Sequence, residues 1–152
     1  MDTPTPPTLP AARDLNEFDS PDERVAAKHI LGKSPDQAGA LFRDNAPYFT
    51  EDLMWMGAGG FQFYVEAALR AMERDAFGDG TALDSFAAVI EFRLGNGGAE
   101  LVPLVPRLAG FCKSVLSRSG HRDASPGDTA AIESRYRALL ARLAPPAARH
   151  GD

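Results

Sequence analysis

Apolar residues recur at steps of three and four along most of the chain, and the longest such pattern runs through Phe61, Val65, Ala68, Met72 and Ala76, widened by Tyr64 and Leu69. That spacing puts them on one face of a buried helix. Glu66, Arg70 and Arg74 lie opposite, with Glu66 and Arg70 in the favourable i, i+4 order, so this face is expected in water. Gly78 supplies a stop. A second stripe after Thr81 (Leu83, Phe86, Ala87, Ile90, Leu94) predicts a helix ending at Gly95. A third follows through Leu101, Leu104, Val105, Leu108, Cys112 and Val115. Because proline fits only the first turn, this helix is predicted to begin near Pro103 or Pro106, with anything earlier kinked or 3₁₀. The last stripe, Ile132, Tyr136, Leu139, Leu140 and Leu143, predicts a helix from Asp128 or Thr129 that ends before Pro145.

Upstream, Ser20-Pro21-Asp22-Glu23 and Ser34-Pro35-Asp36-Gln37 both read as a capping box with proline at the first helical position. The first helix should bury Val25 and Ile30, with Ala26 and Ala27 beside them, and stop at Gly32. The second should bury Ala38, Leu41 and Phe42 and end before Pro47. Thr50, followed by Glu51 and Asp52, reads as the N-cap of a third element. The GAGG run at 57–60 reads as a turn or kink, since each glycine weakens a helix by about 1 kcal/mol relative to alanine.

No run alternates in polarity with β-branched enrichment, so no strand is predicted. The fold class is all-α: one compact domain of about six helices over residues 20–144, two short N-terminal helices followed by longer antiparallel ones. Residues 1–19 hold four prolines and few large apolar side chains, and are expected to be a disordered tail, as are residues 145–152.

Composition narrows the function classes. The net charge is −5, with −9 over residues 1–104 (seventeen acids, eight bases) and +4 over 105–152 (four acids, eight bases). The bases of the second part are spread over two predicted helices and their loops, and the acidic total opposes phosphate contact, so nucleic-acid binding is not expected. The longest uncharged run, Leu53–Val65, is too short for a bilayer and contains three glycines. The N-terminus lacks the pattern of a secretory leader, and the protein is expected in the cytoplasm. Arginine outnumbers lysine thirteen to three, a bias of GC-rich bacterial genomes.

Chemistry is sparsely signalled. Cys112 has no second cysteine to pair with and no histidine at ligand spacing. His29, His121 and His150 have no partner nearby in sequence. Glu51 and Asp52 are adjacent and diverge around a helix. No cofactor, metal ligand or catalytic residue is therefore expected. What does stand out is that seven of the thirteen aromatics fall between Phe42 and Tyr64, interleaved with Met54 and Met56. Core filling is the ordinary reading of such a cluster. A partner-binding patch is the other, and its candidate residues are Tyr48, Phe49, Glu51, Asp52, Trp55 and Tyr64.

The run from Gly32 to Met72, GKSPDQAGALFRDNAPYFTEDLMWMGAGGFQFYVEAALRAM, resembles a group of small bacterial all-helical proteins without an assigned activity, in which a TEDLMWM-like segment precedes an aromatic helix. The resemblance implies a helical fold and carries over no functional residue. The function expected is a non-enzymatic, cytoplasmic protein-binding or regulatory module, akin in role to immunity proteins that neutralise a basic partner. The alternative is a small-molecule binder or enzyme with a pocket in the aromatic cluster around Trp55.

Overall fold

The computed structural model describes residues 9–16, 18–44, 46–74, 80–118 and 126–143. Among them are eight α-helices, a 3₁₀ segment and no strand: α1 (Ala12–Leu15), α2 (Pro21–Ile30), α3 (Pro35–Asp44), α4 (Ala46–Trp55), α5 (Ala58–Arg74), α6 (Gly80–Gly95), the 3₁₀ turn Ala99–Leu104, α7 (Val105–Ser117) and α8 (Pro126–Leu143). None of these helices is long and apolar enough to cross a membrane. Ala76, Gly78 and residues 1–8 and 144–152 lie outside the described residues.

Both capping boxes form. Glu23 N–H donates to Ser20 Oγ at 3.1 Å while Ser20 N–H donates to Glu23 Oε1 at 3.1 Å. Ser34 and Gln37 repeat the exchange at 3.2 and 2.8 Å. Gly32, at φ +80°, takes the left-handed conformation that ends α2. The 3₁₀ turn carries Pro103 inside it and gives way to α7 with Pro106 in the first turn, as proline's missing N–H requires.

Helix α4 packs on α6, α3 on α5, and α8 on both α6 and α7. Phe61, Tyr64 and Leu69 of α5, Leu83, Phe86 and Ile90 of α6, Phe111 of α7 and Tyr136 of α8 are all fully buried. Phe86 meets Phe111 edge-on at 5.4 Å, a favoured aromatic geometry, and Tyr136 Oη donates to the Leu83 carbonyl at 2.6 Å.

Four expectations change. Helix α4 begins at Ala46, with Pro47 in its first turn, where a proline opens a helix at no hydrogen-bond cost. Thr50 is consequently a buried mid-helix residue and not an N-cap. Val25 is 50 % exposed, because α2 turns Glu23, Ala26, Ala27 and Ile30 inward and Val25 projects about 100° away from Ala26. The face of α5 that bears Glu66 and Glu73 is bridged by Arg107 of α7, so it is only partly solvated. Lastly, the end of the supposed tail is structured: Leu15 in α1 is fully buried.

The reason for that last difference lies in GAGG. The Gly57 N–H donates to the Leu15 carbonyl at 2.8 Å. A Cβ on Gly60 would collide with Leu15 Cδ2, and one on Gly59 would stand 3.3 Å from Asp14. The glycines do break the helix between α4 and α5, as expected, and they also form the seat on which α1 docks.

Arg93 of α6 finishes this corner. Almost wholly buried, it donates from Nε and Nη2 to the Leu53 carbonyl at 3.0 and 2.7 Å and from Nη2 to the Met56 carbonyl. Nη1 pairs with Glu100 at 2.7 Å, and the guanidinium lies 4.1 Å from the centre of the Phe61 ring. The cation thus satisfies carbonyls that the end of α4 leaves without helical partners.

Candidate functional site

Helix α4 packs between α2 and α6. Tyr48 and Asp52, four apart, face α2, and Glu51 and Trp55, also four apart, lie toward α6. On the α2 side, Asp52 is 5 % exposed and its Oδ2 lies 2.7 Å from His29 Nδ1. The far nitrogen of the same ring, His29 Nε2, is 3.2 Å from Tyr48 Oη. The His29 and Tyr48 rings sit 5.2 Å apart, tilted by 50°. Tyr48 is 51 % exposed, so a chain of polar contacts leads from a buried carboxylate to a phenol at the surface.

The chemistry of the chain follows from the buried end. Burial pushes the Asp52 carboxyl above its ordinary range, while the hydrogen bond and charge of His29 pull it back and Glu51 adds a small upward push. A carboxylate facing Nδ1 selects the tautomer with its proton there. The lone pair of neutral His29 is then on Nε2, and the Tyr48 hydroxyl donates to it.

On the α6 side, Trp55 is half-buried. It meets Phe92 edge-on at 5.0 Å and directs its indole N–H to Glu51 Oε1 at 3.4 Å. Glu51 also borders an open groove of about 180 Å³ lined with Met54, Ser85, Ala88 and Val89.

The remaining candidates lie elsewhere. Tyr64 is buried and donates to the Lys33 carbonyl at 2.6 Å and the Ile30 carbonyl at 3.3 Å, which ties the end of α2 to α5 and so fixes the helix that carries His29. The side chain of Phe49 lies outside the described residues, as do His121 and His150. Cys112 is buried, its thiol pushed up to about 11 by desolvation, and is protonated at neutral pH. Among the described residues, no group of three or more His, Cys, Asp or Glu side chains could hold a metal ion.

The chain matches no protein-family model, no curated protein and no solved structure. The arrangement above therefore carries the functional argument alone.

His29 is the site residue that sequence reasoning passed over. It lies 23 positions from Asp52, beyond any local spacing rule. One signal was present: an aspartate next to Leu53 in an apolar helix needs a donor from another element when it is buried.

Proposed function

We propose that the protein is a non-enzymatic binding module that contacts a basic protein partner through the outer flank of α4, as a regulatory or neutralising protein in the bacterial cytoplasm. The observation that carries this reading is Tyr48, half exposed yet held by His29. A restrained amphipathic ring loses little entropy on binding, which is why tyrosine and tryptophan anchor interfaces. Glu51, exposed between Tyr48 and Trp55, adds a carboxylate beside two aromatic rings, a combination suited to lysine or arginine. The overall charge of −5 favours such an encounter.

The test is capture of a partner from the native host with the wild-type chain and with Tyr48→Ala, Glu51→Lys and Val102→Ser. A protein held by wild type and by the Val102 variant, but released by both α4 variants, supports the reading. Equal retention by all four chains overturns it.

A second reading rests on the groove beside Glu51, which suits a small ligand. At about 180 Å³ it is below the roughly 300–1,000 Å³ typical of small-molecule sites, so the binding-module reading is preferred. A thermal-shift screen with common metabolites tests it: a ligand at about 100 times its Kd should add roughly 2.7 kcal/mol.

A further inference from the structure

We propose that Tyr48 is a covalent acceptor site, whose phenol oxygen takes an acyl group from an activated acyl ester with His29 as the base and Asp52 as its positioning residue. This goes beyond partner binding and does not depend on it. The geometry is that of an activated nucleophile, in which a hydroxyl faces an imidazole whose other nitrogen is held by a carboxylate. The three groups stand in the required order, with 3.2 Å from Tyr48 Oη to His29 Nε2 and 2.7 Å from His29 Nδ1 to Asp52 Oδ2. Burial of Asp52 and half-exposure of Tyr48 put the orienting group in the interior and the nucleophile within reach of a donor.

A free phenol, with a pKa of about 10, is almost entirely protonated at neutral pH and is a weak nucleophile. In the proposed step Tyr48 Oη attacks the donor carbonyl carbon as its proton passes to His29 Nε2. The tetrahedral adduct then collapses, the carbon–oxygen bond to the leaving group breaks, and that group departs with the bonding electron pair. The products are a tyrosyl ester, a protonated imidazole stabilised by Asp52, and the leaving-group anion; the imidazole returns its proton to water. No oxidant, metal or further reactant is needed. From α4 the ring is faced by Asp52 and Tyr48.

The test uses the full chain and p-nitrophenyl acetate, followed by nitrophenolate absorbance and by peptide mass mapping. The expected result is a stoichiometric burst with the acetyl group on Tyr48. Tyr48→Phe, which keeps the exposed ring, should abolish the burst. His29→Gln should slow it by roughly 100-fold or more. Asp52→Asn should lower the rate, and Asp52→Glu, which restores a carboxylate, should recover part of it, a rescue that a purely structural role would not cause. Melting curves establish that each variant is folded. Acetylation spread over Lys28, Lys33 and Lys113 with Tyr48 unmodified overturns the proposal. So does a burst that survives Tyr48→Phe, or a Tyr48 acetylation rate that His29→Gln leaves unchanged.

Discussion

Arg107 grips Glu66 with two parallel hydrogen bonds, Nε to Oε1 and Nη2 to Oε2, both 2.8 Å long. The same guanidinium donates to both oxygens of Glu73, again at 2.8 Å, and so clamps α7 across two turns of α5. Arg135 makes a parallel clamp from α8 to Glu91 and Asp84 of α6. Bidentate geometry separates these contacts from ordinary surface ion pairs. Arg107→Lys keeps the charge but loses the fork, and should lower stability by about 1 kcal/mol in urea unfolding; an unchanged midpoint would show that geometry adds nothing to charge.

Acid should reveal two opposite dependences. Arg107's hydrogen bonds hold the Glu66 carboxyl below its ordinary 4.5. Its stabilising effect is full above that value and disappears as pH falls through the folded value. Asp52 lies above its ordinary 3.8 because burial outweighs His29, so its contribution is full below that value and is lost as pH rises through the folded one. Unfolding midpoints between about pH 3 and pH 6 should therefore show Glu66→Gln approaching wild type as pH falls, and Asp52→Asn removing a loss of stability as pH rises.

Leu15 is buried against the glycine seat, so Leu15→Ala should cost about 2 to 5 kcal/mol, the range for emptied leucine sites. Gly60→Ala should destabilise by displacing the same side chain. Differential scanning calorimetry checks both, and a melting temperature unaltered by either would mean that α1 adds no stability.

Removing Arg93 leaves the Leu53 and Met56 carbonyls without their donor and Glu100 without its cation. Arg93→Met should cost about 3 to 5 kcal/mol, the range for breaking a buried pair. Because the carbonyls are at the end of α4, tryptophan fluorescence should also report the change through Trp55. A variant with wild-type stability and emission would contradict the capping role.

The helical class and most boundaries were legible because they depend on periodicity, proline and capping boxes, all local in sequence. The capping pairs Ser20–Glu23 and Ser34–Gln37 each span three residues, and Pro103 and Pro106 bracket the start of α7. The arrangement around α4 was less legible. Glu51 and Trp55 align by spacing, whereas Tyr48 falls before the N-cap expected at Thr50 and His29 comes to Asp52 only after α2 has packed on α4. Arg93 was hidden for the same reason, since its acceptors are backbone carbonyls 37 and 40 positions away. Leu15 was misread because α1 has too few residues to show a period.

The seating of α1 on Gly57 and Gly60 gives the molecule a built-in latch. Four residues cannot sustain a helix in isolation, so α1 holds its shape only while docked. Undocking frees the Gly57 amide from the Leu15 carbonyl. Hydrogen exchange at that single amide therefore reads the free energy of the latch, and a protease that cleaves near Leu15 reads how often it is undone.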